Sequence, residues 1–312
     1  MKIKIFIIAF HTLEYKSNMT YVRNLIDRVS NKNHELDFYH IALNENYSHY
    51  LFINNEKILH LKSKNYIECY SIFVDEVAKH EKNFNIILFW GHSWGSCLGH
   101  ISKTNPLKND IFMSCHQFMK PILKNKIQTY LMWLESCYSG NIITVFDLYK
   151  CCKYLVSPST YHDTPSIIGT FGTLDKIVNN QQIIDLIELY YTKFKPAKYH
   201  KMMIFKSKNI PKLIDYFTEV DLETDFNWGP TCLTKGDLNT YDLFCLSNDS
   251  KFHKILKTVI IYGHENSFII DKKIFDHLQK EGKENTYYKI LNKKSKKFYA
   301  EIPYIFNFRK WK

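Results

Sequence analysis

The 312-residue chain is 45% hydrophobic and carries a formal net charge of +11, enough apolar material for one large domain or two smaller ones and too much for a disordered polypeptide. With 16% aromatic residues and only 10 glycines, collagen-like repeats and glycine-rich linkers are excluded. The pI near 9.0 would suit an anionic partner, but Lys is abundant alongside Asn, Ile and Tyr, so the excess charge reads as solvated surface and neither nucleic acid nor a membrane is expected as a partner.

The chain begins Met1-Lys2-Ile3-Lys4 and continues apolar from Ile5 to Phe10 before His11 and Glu14. That run is shorter than a signal-peptide core, so residues 3–10 are read as a first strand. Asn18 or Thr20 can cap a helix whose Val22, Leu25, Ile26 and Val29 recur at helical spacing. Glu35 to Leu43 suggests a second strand, and Tyr50 to Leu61, broken at Asn54-Asn55, a hairpin. Tyr66, Tyr70, Phe73, Val74 and Val77 mark an amphipathic helix. It leads into Ile86-Ile87-Leu88-Phe89-Trp90, a run expected of a strand buried on both faces, as in a parallel sheet.

After Gly95 the pattern is irregular to about Asn109, and Cys115 to Lys124 gives a short helix disturbed at Pro121. A second buried strand, Tyr130-Leu131-Met132-Trp133-Leu134, precedes a helix from Ile142 to Tyr149 and a short strand Tyr154-Leu155-Val156-Ser157. A strand at Ile167 to Phe171 and a helix at Gln181 to Phe194 are expected next. From about Lys206 the segments become short, aromatic and strand-like, among them Thr258 to Tyr262 and a hairpin tipped by Lys293-Lys294-Ser295-Lys296-Lys297. The expected division is a domain over residues 1–205 and a β-rich C-terminal region of unknown role over 206–312.

The chain's 8 cysteines show no zinc-ribbon spacing and no dense disulfide framework, so reduced thiols and a cytoplasmic location are expected. Cys97, His100, Cys115 and His116 can be drawn as metal ligands, but their spacing does not support it, and no metal is assigned.

The two buried strands each end in a small polar cluster, where an open α/β sheet places its ligand site. The first cluster, Gly91-His92-Ser93-Trp94-Gly95, is a literal G-x-S-x-G nucleophile elbow, with Asp175 and His200 available as triad partners. An elbow serine should open a long apolar helix, whereas Ser96 to Pro106 carries Gly, Ser and Pro. The other reading pairs His92 with Cys137 of the second cluster, Glu135-Ser136-Cys137-Tyr138-Ser139-Gly140. A thiolate is intrinsically nucleophilic, and an imidazole can hand a proton to a leaving amine.

His92-Ser93-Trp94-Gly95 and Glu135-Ser136-Cys137-Tyr138-Ser139-Gly140 resemble the motifs that end successive strands in the caspase-hemoglobinase clan of cysteine peptidases, most closely its clostripain-like members. The resemblance covers residues 1 to about 175. It implies a caspase-like α/β/α sandwich with a mostly parallel sheet, acting as a thiol endopeptidase on a protein or peptide substrate. It also implies an oxyanion site built from the backbone N–H groups of Ser93 and Cys137. No cofactor is required for that chemistry, although some relatives respond to calcium. Clostripain-like enzymes hold an Arg or Lys side chain on acidic residues, and the resemblance carries this role to Glu135 and Asp163. Two positions depart from the pattern: Ser93 stands where the clan usually has Gly, and Glu135 replaces the usual Asp, as in legumain-like members. A catalytically inactive relative serving as a binding module is the non-enzymatic alternative.

Overall fold

The computed structural model describes residues 2–11, 19–94, 97–100, 111–136, 139–158, 174, 185, 202–220, 240–263 and 269–271. In its interior lies β1 (Ile3–His11), flanked in parallel by β2 (Leu36–Asn44) and β5 (Asn83–Trp90). Next to β5, and again parallel, run β9 (Gln128–Glu135) and β10 (Cys152–Pro158). Antiparallel strands complete each side: β3 (Ser48–Ile53) and β4 (Glu56–Lys62) beyond β2, and β11 (Met202–Lys206) and β13 (Ile260–Tyr262) beyond β10. The order β13-β11-β10-β9-β5-β1-β2-β3-β4 makes a nine-stranded sheet among the described residues. Chain from both sides of residue 206 therefore contributes to one sheet.

Helices cover both faces, which is why the central strands carry continuous apolar runs such as Ile5–Phe10, Ile86–Trp90 and Leu131–Leu134. Ile3, Ile5 and Ile7 of β1 point to the side where α1 (Met19–Lys32) buries Val22, Leu25, Ile26 and Val29. The alternate residues Phe6, Ile8 and Phe10 meet α2 (Tyr66–His80), α3 (Cys115–Lys124) and α4 (Ile142–Leu148) on the other side. That second face continues through α5 (Ile210–Glu219) and α7 (Ser250–Val259), the latter preceded by the short α6 (Leu243–Leu246). A separate pair, β12 (Thr240–Asp242) and β14 (Ile269–Asp271), runs antiparallel. No helix among the described residues is long and apolar enough to cross a membrane.

Local chemistry sets the boundaries. The hairpin between β3 and β4 turns on Asn54 and Asn55 at φ 47° and 64°, a left-handed pair that asparagine tolerates. Asn65 caps α2 by accepting from the Glu68 N–H at 3.2 Å. Ser114 and Gln117 form a reciprocal capping box at the start of α3, which runs through Pro121. The expected strand at Ile167 to Phe171, the helix at Gln181 to Phe194 and the Lys293 hairpin lie outside the described residues.

Two histidines break the apolar pattern of the core. His11 and His40 are both buried, on the α1 side of β1 and β2, with their Nε2 atoms 3.1 Å apart. Burial, the His11 imidazole and the Arg23 guanidinium hold the His40 pKa well below its usual 6.5. The sign follows directly: above pH 6.5 neither folded nor unfolded His40 is charged, and below it only the unfolded state takes the proton. Stability is therefore expected to fall as pH drops below 6.5, by about 1.4 kcal/mol per pH unit for this histidine. Burial depresses His49 in the same direction. Urea titrations at pH 7.5 and 5.5 are expected to show a smaller pH difference in His40→Leu than in the wild type, even though the variant is less stable at both.

Candidate active site

The site is set by the register of β5 and β9. Their partners are offset by 45 positions throughout, from Asn83 opposite Gln128 to Trp90 opposite Glu135, so the two strands end side by side. The Gly91 N–H donates to the Glu135 carbonyl at 3.4 Å, carrying the pairing one step further. His92 and Cys137 share the same offset of 45 and lie two residues beyond this last pair. Cys137, Asp163 and the side chain of His92 lie outside the described residues.

Beyond Gly91 the chain enters β6 (His92–Trp94), which pairs antiparallel with β7 (Cys97–His100), itself paired with β8 (Ile111–Ser114). Within the stretch expected to be irregular after Gly95, the described residues Cys97–His100 instead form a strand of this small sheet. The sheet also removes the strand-to-helix context that a nucleophile elbow needs: Ser93 sits within a strand, opposite Leu98, and is buried. Asp175 and His200, the other members of that triad, lie outside the described residues.

Beyond β9 the described residues on both sides of positions 137 and 138 are held by hydrogen bonds. Ser136 is buried at the foot of β9, and Ser139, Gly140 and Asn141 lead into α4. Asn141 caps α4, its Oδ1 accepting from the Thr144 N–H at 3.0 Å while its Nδ2 donates to Thr144 Oγ1 at 2.9 Å. The Gly140 N–H donates to the Pro158 carbonyl at 2.6 Å, tying the segment to the end of β10. The Ser139 hydroxyl donates to the Ser136 carbonyl at 2.9 Å and accepts from Ser157 at 2.8 Å.

Glu135 is only 2% exposed, and strand alternation places it on the α1 side with Leu131 and Trp133. On that face a row of rings leads away from it. Trp90, opposite Glu135, meets His11 edge-on at 5.7 Å; His11 meets His40 at 5.3 Å, and His40 stacks on Phe52 at 5.8 Å. Arg23 closes the row 4.5 Å above the Phe52 ring. Sequence reasoning passed over His11 and His40. Their signal was present as polar residues at inward positions of two otherwise apolar strands.

Of the four residues that can be drawn as metal ligands, the side chains of Cys97 and His100 lie outside the described residues. Cys115 points its Sγ at Thr144 Oγ1, 3.7 Å away. His116 has its pKa lowered by burial and by Lys120 and Lys150, cationic company that disfavours a bound cation. Among the described residues no three His, Cys, Asp or Glu side chains gather as a ligand set.

No protein-family model matches the sequence, and no curated protein matches it. Solved structures do. A secreted C11 cysteine protease of Bacteroides thetaiotaomicron, iotapain, superposes with a TM-score of 0.63 over 86% of this chain and 90% of its own, at 12% identity. A second structure of a secreted C11 protease from that organism, in complex with an irreversible peptide inhibitor, gives 0.61 over 83% of each chain at 13% identity. An inactive zymogen C11 protease of Parabacteroides distasonis gives 0.58 over 84% of each chain at 12% identity. The fold is that of the C11 cysteine proteases. It is the clostripain-type α/β/α architecture, and within this C11 fold the two motif segments follow β5 and β9, the in-register pair beside β1.

Proposed function

We propose that the chain is a clostripain-like cysteine endopeptidase with His92 and Cys137 as its dyad. The observation that carries this is the shared register of β5 and β9, in which the offset of 45 that joins Trp90 to Glu135 also relates His92 to Cys137. Cys137 passes its thiol proton to His92 as Sγ attacks the scissile carbonyl carbon, and the carbonyl electrons move onto oxygen. The backbone N–H groups of Ser93 and Cys137 stabilise that oxyanion, the kind of preorganised donor pair that contributes most in acyl transfer. Collapse breaks the C–N bond as His92 gives its proton to the departing amine. Water, deprotonated by His92, then releases the acyl group from sulfur.

Substrate choice follows from Glu135 and Asp163. A carboxylate as buried as Glu135, at 2% exposure, favours a cationic partner, and each charge-assisted hydrogen bond contributes about 1.5–3 kcal/mol. The reading therefore favours Arg or Lys on the acyl side of the cleaved bond. A bound peptide inhibitor in the B. thetaiotaomicron neighbour supports peptide recognition by this fold. A cytoplasmic location belongs to this reading, whereas the Bacteroides neighbours are described as secreted.

Fluorogenic peptides ending in Arg, Lys, Asn or Asp test this directly. Arg and Lys substrates are expected to be cleaved at least about tenfold faster than the others. Glu135→Gln should narrow that preference. If a peptidyl thiol-reactive probe leaves Cys137 unlabelled at neutral pH and no substrate is cleaved, the binding-module alternative takes its place.

A further inference from the structure

The hydrogen bonds around the Cys137 segment form a chain with a defined direction. Ser157, in β10, donates its hydroxyl proton to Ser139 Oγ at 2.8 Å, and Ser139 donates to the backbone carbonyl of Ser136 at 2.9 Å. Ser139 and Ser157 are 0% exposed and Ser136 2%, so water does not compete for these bonds. The acceptor matters. The Ser136 carbonyl belongs to the same peptide unit as the N–H of Cys137, and a trans peptide is planar with its N–H and C=O on opposite edges. Whatever fixes the carbonyl fixes the direction of that N–H. A hydrogen bond accepted by the carbonyl also polarises the amide and strengthens its N–H as a donor.

We infer that Ser139 and Ser157 are positioning residues for oxyanion stabilisation, aiming and polarising the peptide unit whose amide faces the developing negative charge. The inference rests on the peptidase reading given above. The Gly140 N–H bond to the Pro158 carbonyl, at 2.6 Å, anchors the same segment one residue further along β10. The hydroxyl chain thus has a fixed strand behind it. No proton is transferred along it, since Ser139 and Ser157 act by orientation alone.

The test compares wild type, Ser139→Ala, Ser157→Ala and the double variant in three measurements. These are kcat and KM on a fluorogenic Arg peptide, inhibition by the matching peptide aldehyde, and the rate at which iodoacetamide alkylates Cys137, read by mass spectrometry. Aldehyde binding forms an oxyanion on the enzyme, whereas alkylation is a displacement that forms none. Ser139→Ala is expected to lower kcat about tenfold, with KM and the alkylation rate held within about twofold and aldehyde affinity weakened by the same factor as kcat. Ser157→Ala should lose about threefold, and the double variant no more than Ser139→Ala, because both act through one chain.

Full kcat in both single variants overturns the inference, and so does alkylation falling in step with turnover, which would mean that the serines merely hold the segment in place. If Ser139→Ala fails to fold, Ser157→Ala decides by the same three measurements, since it removes the chain from outside the segment. An active, Cys137-dependent wild type with unimpaired variants counts against this inference alone. A wild type with no Cys137-dependent peptide hydrolysis counts against the peptidase reading and takes this inference with it.

Discussion

Cys137→Ala is expected to lower peptide hydrolysis by about 10⁴-fold or more, the scale seen when a nucleophile is removed from an acyl-transfer enzyme, while Ser93→Ala loses about tenfold at most. The two changes separate the competing nucleophiles because they act on different atoms. Removing the Cys137 thiol leaves nothing to form the acyl bond. The Ser93 change keeps the backbone N–H assigned to the oxyanion and takes away only a buried hydroxyl on β6. Initial rates on an Arg peptide and on a short-chain ester, with circular dichroism to confirm folding, decide the matter. Loss in Ser93→Ala with full activity in Cys137→Ala would reinstate the serine hydrolase.

Gly140→Ala is expected to cost both stability and turnover. A Cβ at that position would stand 2.8 Å from the Pro158 carbonyl oxygen and 3.0 Å from Met203 Cε. The oxygen is backbone, and it is the acceptor of Gly140's own N–H at 2.6 Å, so relieving the clash means breaking the bond that ties the segment to β10. Overpacking of this kind costs about 1–3 kcal/mol. On the peptidase reading, a displacement of about 1 Å at Cys137, three residues away, lowers turnover about 100-fold. The urea midpoint and kcat/KM should fall together, and an unchanged midpoint would show that the strand and the segment can part without penalty.

How much of this was legible in the sequence depends on how each element is buried. β5 and β9 announce themselves because both their faces are covered, leaving the runs Ile86–Trp90 and Tyr130–Leu134 without a polar break. The β3–β4 hairpin is legible from Asn54-Asn55, which alone supply the two positive φ angles of the turn. The small sheet of β6, β7 and β8 was not legible. Strands such as His-Ser-Trp and Cys-Leu-Gly-His show no alternation and owe their shape to neighbours rather than to their own composition. β13 falls inside the strand-like run expected from Thr258 to Tyr262, but Thr258 and Val259 close α7, with no turn residue between Val259 and Ile260 to mark the change. The candidate pair rests on motif spacing, since the 45 residues from His92 to Cys137 equal the offset of every paired position of the strands that precede them. The histidine row was missed for the opposite reason: polar residues inside apolar strands look like interruptions until the register places them against one another.

The two borders of the nine-stranded sheet bear on behaviour in crowded solution. At one border β4 presents Lys57 and Lys62 to solvent, and its register with β3 slips between Leu51 and Phe52. At the other, β13 is only three residues long. A bulged, charged margin and a very short one both refuse an incoming chain that would prolong the sheet. Among the described residues, neither border of this sheet offers a long, flat, uncharged strand to which a second chain could add.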